Sequence, residues 1–423
     1  MQYLTVLGSR PGLERIRSLL HEMGDPQQLL HCIHIAGTNG KGSTSLMIAE
    51  ILIAAGYRVG RFTSPHLHSY LERFTINGRE ISETEFWKGL EEVEGHIRVM
   101  LERGEAHPTE FEILTALAFQ YFAQQRVDLV VLEVGMGGSY DSTNVVRPLL
   151  SVITGVDFDH TAYLGASLAE VASNKAGIIK AGIPVVAGEM AAEAGRVVSR
   201  QASSLGSPLY LSSSIKITLP EKPGLEEQLL DIAGCGLQLA GVRFSLGGIY
   251  QLKNLAVALT ALQLIREMGY RVEEPSIRMG LASLHMPGRM EVVSRNPLVI
   301  VDAAHNPQGA RALAASLEIL LPGRLKVLVL GLVDDKERDE IVRALGPNTR
   351  AAVITRPQGP RGGNWLEVLE RWQQIFPNTE VSAQESIPAA IQAGLALLTG
   401  QDYLVITGSF YVLDQARLVF INN

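Results

Sequence analysis

Three groups of side chains in this 423-residue sequence have the types and spacing that phosphate and carboxylate chemistry requires. The first is the run Gly37-Thr38-Asn39-Gly40-Lys41-Gly42-Ser43-Thr44. Its glycines let backbone N–H groups face one concavity, a helix N-terminus beyond adds its positive end, and Lys41 reaches a nucleotide's outer phosphates. The strict pattern G-x-x-x-x-G-K-[ST] is not met, because Ile35 holds the first Gly position and Gly42 separates Lys41 from Ser43. A Gly-rich turn with a surface lysine is the plainer reading of the same stretch. The second group is Ser64, Glu133 and His160, each just past an apolar, strand-like run. Glu133 closes such a run with a carboxylate, the arrangement that holds Mg2+ beside a phosphate loop. A structural ion pair is the competing use, since an unpaired buried charge is costly. Taken singly, a Ser-Pro turn or a lone histidine is unremarkable. Together with the glycine loop the three outline the rim of a Mg–nucleotide site. The third group, Asp302, His305 and Ser409, again falls at the carboxyl ends of strand-like runs.

Such side chains need rigid elements behind them. Ile33 and Ile35 mark a strand before the loop. The sequence from Ser43 reads as a helix apolar almost all round (Leu46, Met47, Ile48, Ile51, Leu52, Ile53), which belongs against a sheet. Gly56 closes it, and 57–63 reads as the next strand, giving a βαβ unit with parallel strands. Leu13, Ile16, Leu19 and Leu20 have helical spacing, as do Phe111, Leu114, Thr115, Ala118, Phe119 and Phe122. Residues 83–100 form a further helix within a polar, loop-rich stretch that runs to Gly104. The unbroken run 129–135 predicts a strand buried on both faces, and 149–154 and 184–187 predict two more. Ser167 and Glu170 make a capping box for the helix that carries Lys175. Residues 206–248 read as irregular, with short β-like pieces and several glycines, and a helix follows over 250–268, beginning near Asn254 and closed by Gly269. Pro287-Gly288-Arg289 and Arg295-Asn296-Pro297 are two Pro-containing breaks. Beyond them come strands at 298–302, 325–331, 351–355 and 403–407, with Asn306 as an N-cap and Pro307 at the first helical position. The alternation predicts an α/β fold. A P-loop-type, mostly parallel sheet domain spans 1–287, a linker 288–297, and a smaller Rossmann-like α/β domain 298–423.

Composition narrows the classes. A hydrophobic content of 46% with 19% charged residues describes a well-buried globular chain, and the length implies two cores. A net charge of −7 argues against nucleic acid or an anionic membrane as partner. Cys32 and Cys235 form no disulfide framework or metal spacing and read as small buried hydrophobes. The first residues lack a signal-peptide pattern and no apolar run reaches membrane-spanning length, so a cytoplasmic protein is expected.

Eight motifs occur in a fixed order: 34–44, Thr63-Ser64-Pro65-His66-Leu67, Leu132-Glu133-Val134-Gly135, Asp159-His160-Thr161, Asn174-Lys175-Ala176-Gly177-Ile178, Pro287-Gly288-Arg289, Asp302-Ala303-Ala304-His305-Asn306-Pro307 and Gly408-Ser409-Phe410. The set resembles the folylpolyglutamate synthases of the Mur ligase superfamily, which in bacteria are commonly bifunctional with dihydrofolate synthase. A Gly between the lysine and the Ser/Thr is a feature of that family.

The resemblance implies a monomeric, ATP- and Mg2+-dependent ligase acting on small molecules: dihydropteroate or a reduced folate, L-glutamate and ATP. ATP would phosphorylate a substrate carboxylate, and the glutamate amine would displace phosphate from the acyl phosphate. Mg2+ and Lys41 would neutralise the charge that moves. Carried over by motif, Thr38, Asn39, Gly40, Lys41, Gly42 and Ser43 with Asn254, Arg289 and Asp302 resemble the ATP contacts. Ser64, Glu133 and His160 resemble the Mg2+ ligands, Thr109 and Phe111 the folate or pteroate contact, and His305 and Ser409 the glutamate site. The resemblance also puts Lys175 beside the metal and phosphates. A like charge about 4 Å away costs roughly 4 kcal/mol at an effective dielectric of 20, and Mg2+ doubles that. Lys175 escapes by losing its proton or by adding CO2. The resemblance favours the carbamate, which supplies a hard oxygen ligand and joins Lys41, Glu133 and His160 as the catalytic set. One departure is Tyr140 in Gly137-Gly138-Ser139-Tyr140-Asp141-Ser142-Thr143-Asn144, where family members often carry Arg before the Asp. Two alternatives stand beside this reading. One is another Mur-type amide ligase, acting on a peptidoglycan precursor or an amino-acid polymer. The other is a nucleotide switch without ligation, which leaves His305 and Ser409 unexplained.

Overall fold

Apolar runs without polar interruption become strands covered on both faces, and in this computed structural model they build two separate sheets rich in parallel pairs. The structure describes residues 12–159, 161–334, 336–359 and 362–421. By internal packing the chain forms two units. The first comprises residues up to Thr218 with Asp231–Val242 and Lys253–Leu284, and the second Leu219–Leu230, Arg243–Leu252 and the chain from His285.

Among the described residues, eight strands make the sheet of the first unit: β1 (Cys32–Ala36), β2 (Val59–Phe62), β3 (Phe74–Ile76), β4 (Arg79–Glu80), β5 (Leu129–Glu133), β6 (Leu150–Ile153), β7 (Val185–Ala187) and β8 (Leu209–Leu211). Their order is β4-β3-β2-β5-β1-β6-β7-β8. β1 and β2 are parallel, as the βαβ pattern predicts, but β5 lies between them: Ile35 pairs with Glu133 and Phe62 with Leu132. That insertion sets Glu133 between the carboxyl ends of β1 and β2, whose following loops carry Lys41 and Ser64. The stretch before Gly104 is more ordered than expected. Asn77 (φ 49°) and Gly78 (φ 73°) turn the chain between β3 and β4, an antiparallel edge made by the Asn-Gly pair.

The helix after β1 spans Lys41–Ala54, beginning two residues before Ser43 because Gly40 takes the left-handed conformation (φ 81°) at its N-cap. In residues 206–248 the short β-like pieces pair into regular strands. They supply β8 and a three-stranded sheet of β9 (Lys216–Thr218), β10 (Gln228–Gly234) and β11 (Leu237–Phe244). Leu230 and Ile232 alternate with more exposed neighbours along β10, a two-residue period diluted by the surrounding glycines.

The second unit holds β12 (Glu291–Arg295), β13 (Leu298–Asp302), β14 (Lys326–Leu330), β15 (Thr349–Thr355), β16 (Glu380–Gln384) and β17 (Tyr403–Thr407), in the order β12-β13-β17-β14-β15-β16. All pairs are parallel except β12 with β13. The segment 288–297 therefore contains an edge strand. Asn306 caps the helix Pro307–Leu320 by accepting from Gly309 N, as its sequence position predicts. Asp302 pairs with Thr407, which brings the loop Gly408-Ser409 beside the end of β13.

The helix behind the glycine loop is fixed by a close approach. A Cβ on Gly280, in the helix Glu274–Ala282, would stand 2.6 Å from Ile51 Cα and 2.7 Å from Ile51 N. Backbone atoms cannot yield as a side chain can. Gly280→Ala should therefore destabilise the protein by about 1–3 kcal/mol in urea unfolding; an unchanged midpoint would contradict this packing.

Candidate active site

The loop between β1 and its helix is pressed into shape from two sides. Thr38 Oγ1 donates to Asp157 O (2.9 Å) and accepts from Asp157 N (3.0 Å), while Thr154 Oγ1 donates to Asn39 O (2.6 Å). A Cβ on Gly37 would lie 1.9 Å from Thr154 Oγ1, and one on Gly40 would lie 2.2 Å from Asn254 Oδ1. Asn254 sits in the first turn of the helix Gln251–Glu267, three residues after that helix begins, within the expected span 250–268. Ser43 and Thr44 are buried in the first turn of the next helix, and Thr44 Oγ1 has no hydrogen-bond partner among the described residues. Buried hydroxyls at a helix N-terminus behind a glycine loop suit a phosphate group.

Two lysine amines converge on this loop. Lys41 Nζ donates to Gly37 O (3.1 Å) and Thr38 O (3.3 Å), and Lys175 Nζ donates to the same Gly37 O (3.0 Å). Lys175 is 2% exposed. Burial first, and then the charge of Lys41, pull its pKa from 10.5 to about 7, against a weaker opposing pull from Asp159 and Asp141. The helix Leu168–Ala176 that carries it opens with the expected capping box, Ser167 accepting from Glu170 N and Glu170 from Ser167 N.

The far end of that helix is strapped by the loop after β5. Ser139 N and Oγ donate to Asn174 O (2.9 and 3.0 Å), and Asn144 Nδ2 reaches Ser139 O and Gly177 O (3.1 Å each). A Cβ on Gly138 would stand 2.6 Å from Asn174 O, so only glycine allows the approach. Buried Asp141 organises the loop, accepting from Met136 N, Thr143 N and Thr143 Oγ1. The Thr143 proton is thus spent on Asp141, so His34 Nε2, 2.8 Å from Thr143 Oγ1, is the donor of that contact. Burial, helped by the charge of Lys180, pushes His34 down to about 3 and keeps it neutral. His34, Gly138, Asp141 and Asn144 were not singled out as site residues; for the last three the signal was the run of small and polar residues after a buried strand, and for His34 it was a polar residue inside the apolar strand β1.

Glu133 is buried at the end of β5. Arg61 on β2, paired with Val131 of β5 and so on the sheet face of Glu133, lies close enough for the Glu133 and Glu50 charges to oppose the effect of its burial. Ser64 is half-buried two residues beyond β2. Phe111 stacks on Phe62 (5.8 Å between centroids) and lies against Gly135, where a Cβ would approach its ring to 2.5 Å. Thr109 caps the helix Glu110–Gln124 and accepts from Glu112 N, while Glu112 pairs with Arg15 at 3.0 Å. His160 lies outside the described residues. Among the described residues no three His, Cys, Asp or Glu side chains group as metal ligands.

In the second unit Asp302 ends β13 fully enclosed. It accepts from Tyr250 Oη (2.7 Å), Met290 N (2.9 Å) and Ala304 N (2.9 Å). Burial raises its pKa, and the Arg289 charge and these donors hold the rise back. The Arg289 guanidinium lies 5.0 Å from the Phe410 ring centre, and the His305 ring 6.0 Å from the same ring. His305 Nδ1 faces Ala303 O at 2.8 Å, and buried Ser409 caps the last helix by accepting from Val412 N. Arg289, Asp302, His305 and Ser409 therefore form one cluster, and Tyr250 is a member that sequence reasoning did not single out.

Residues 35–262 match the Mur ligase middle domain, and residues 288–410 match the Mur ligase glutamate ligase domain. These domains define an ATP-dependent ligase of the Mur type. The chain is 36% identical over 412 residues to the dihydrofolate synthase/folylpolyglutamate synthase of Bacillus subtilis, covering 97% of this chain and 95% of that one. It superposes with a TM-score of 0.92 on the folylpolyglutamate synthase of Mycobacterium tuberculosis, solved with ADP and AMPPCP, at 33% identity over 100% of this chain and 98% of that one. Escherichia coli FolC, solved with DHPP and ADP, gives 0.87 at 30% identity over 99% and 95% of the two chains. The chain belongs to the dihydrofolate synthase/folylpolyglutamate synthase family. No described helix is long and apolar enough to cross a membrane.

The buried lysine gives a pH-dependent outcome. Below about 7 Lys175 is protonated folded and unfolded, and its burial costs the fold in full; above 10.5 it is neutral in both and the cost is gone. Parent stability should therefore rise across that window relative to Lys175→Met in CO2-free buffer. Urea unfolding showing a pH-independent difference would contradict the shift.

Proposed function

We propose that this protein joins L-glutamate to dihydropteroate, to the γ-carboxylate of reduced folylpolyglutamates, or to both, with ATP converted to ADP and phosphate. The observation that carries the reading is the pair of amines on Gly37 O within a glycine loop, backed by the family to which the chain belongs. A substrate carboxylate oxygen attacks the γ-phosphorus of ATP and ADP leaves. The glutamate amine then adds to the acyl carbon, loses its proton, and phosphate departs as the amide forms.

Thr38, Asn39, Gly40, Lys41, Gly42 and Ser43 hold the phosphates, with Asn254 beside Gly40, and Arg289 and Asp302 are assigned as ATP contacts by their motifs. Lys41 carries positive charge to the oxygens that gain charge during transfer. Thr109 and Phe111 take the pteroate or folate. The chemistry of the donors fits Mg2+: Ser64, Glu133, His160 and a carboxylated Lys175 are hard oxygen and imidazole ligands. An ion held by these residues would supply positive charge against the phosphates. An amine with a pKa of about 7 is substantially unprotonated at neutral pH, which is the form that attacks CO2. The new N–C bond forms as one N–H proton passes to water, leaving a carbamate anion where a second cation would face Lys41. His305 and Ser409, at the carboxyl ends of β13 and β17, hold the incoming glutamate. The protein acts as a monomer on these small molecules.

Glutamate-dependent ADP release tests the reading. Dihydropteroate or a reduced folate should elicit it, and Glu133→Gln, which keeps shape and removes charge, should lower it by a factor of at least ~100 in a folded protein. Release elicited only by a UDP-sugar peptide, or near-normal turnover of Glu133→Gln at saturating Mg2+, would overturn it.

A further inference from the structure

A buried ion pair in the second unit bears on Arg289. Arg417 meets Glu291 through two hydrogen bonds, Nε to Oε2 at 2.8 Å and Nη2 to Oε1 at 2.9 Å. The two side chains are only 10% and 15% exposed. Such a fork is the most directional of Arg–carboxylate contacts. Burying a charge pair adds little net stability compared with apolar packing, so what it supplies most is geometry.

The geometry it supplies is that of the turn Gly288-Arg289-Met290. Glu291 Oε2 also accepts from Gly288 N at 2.8 Å. The turn is otherwise held by Ala303 N donating to Gly288 O (2.8 Å) and by Met290 N donating to Asp302 (2.9 Å). Its flanking residues are in the left-handed region, Gly288 at φ 71° and Met290 at φ 46°. Met290 is strained there, since only glycine adopts that region without cost, and tethers on both sides are what keep it in place.

The same C-terminal helix, Phe410–Ile421, touches the turn a second time. Phe410 lies under the Arg289 guanidinium, and Arg417 is seven residues on, two helical turns along the same face. One end of the helix faces the guanidinium and the next two turns anchor the backbone that bears it.

We propose that Glu291 and Arg417 are positioning residues for Arg289, through which the C-terminal helix sets the aim of the arginine on the nucleotide. This rests on the reading of Arg289 as an ATP contact. Neither residue touches substrate. Their effect is on how much of the time the guanidinium points where ATP needs it, so it falls on ATP affinity.

The test uses full-length Arg289→Ala, Glu291→Gln, Arg417→Met and the double variant Arg289→Ala/Glu291→Gln. ATP affinity is read by titration calorimetry, together with KM for ATP and for glutamate, kcat and the melting temperature. Arg289→Ala should weaken ATP by ~10-fold or more, and Glu291→Gln and Arg417→Met by ~3–10-fold, with KM for glutamate within ~2-fold of the parent. The double variant should bind ATP no more weakly than Arg289→Ala alone, because a residue acting through Arg289 has nothing left to aim. Additive losses in the double variant, or parent-like ATP affinity in both pair variants while Arg289→Ala is weakened, would overturn the positioning role and leave the ATP contact standing. Parent-like ATP affinity in Arg289→Ala would overturn both. Should Glu291→Gln not fold, Arg417→Lys, which keeps the charge and loses the fork, enters the same comparison alone and with Arg289→Ala.

Discussion

Two amines hydrogen-bonded to one carbonyl oxygen cannot both remain charged cheaply. Lys41 and Lys175 meet in this way at Gly37, and the first unit is arranged around the consequence. Lys41 lies on the half-buried rim of the loop, and Lys175 is enclosed. Burial and repulsion act in the same direction on the enclosed one, so it surrenders its proton near neutrality. Holding a neutral amine against the glycine loop requires a rigid seat. The seat is the helix Leu168–Ala176, fixed at its start by the Ser167–Glu170 box and at its end by Ser139 and Asn144. Asp141, Thr143 and neutral His34 then tie that loop back to β1, the strand from which the glycine loop springs.

The second unit meets a different constraint. Asp302 is a carboxylate with almost no exposure, and three donors and one nearby cation offset the cost of burying it. One of those donors, Met290 N, belongs to the turn that bears Arg289, so the hydrogen bond that helps satisfy the buried carboxylate also holds that turn. Tyr250 contributes an Oη whose own ionisation is pushed well above its usual range by burial and by Asp302, so it stays a donor.

Much of this was legible in the sequence, and what was not has identifiable causes. The strand 129–133 and the strand 298–302 were readable to the residue or nearly so, because continuous apolar runs ending in an acid have few alternative placements. The capping box at Ser167 and the Asn306-Pro307 start were equally plain, since caps are local chemistry. Sheet order was not. Nothing in the segment from Ile33 to Phe62 announces that β5 will lie between β1 and β2, because that is decided by pairing with residues 70 to 98 positions away, Phe62 with Leu132 and Ile35 with Glu133. Strands β9 to β11 were hidden by short lengths and interposed glycines, and β12 by its place between two proline breaks. Within the site, the residue pattern singled out Lys41 and Glu133, and the family resemblance Lys175. Neither pointed to Arg61 or Tyr250, whose neighbours Glu133 and Asp302 lie far along the chain and come close only in the fold.

The central claim is that Lys175 is an uncharged amine at the phosphate loop, ready to take up CO2. Carbon-13 NMR of the protein equilibrated with 13C-labelled bicarbonate at neutral pH tests it most directly. The account predicts a carbamate resonance that is lost in Lys175→Ala and weakens as the pH falls below about 7, where the amine is protonated. A spectrum without a carbamate, or one whose carbamate survives in Lys175→Ala, would contradict it.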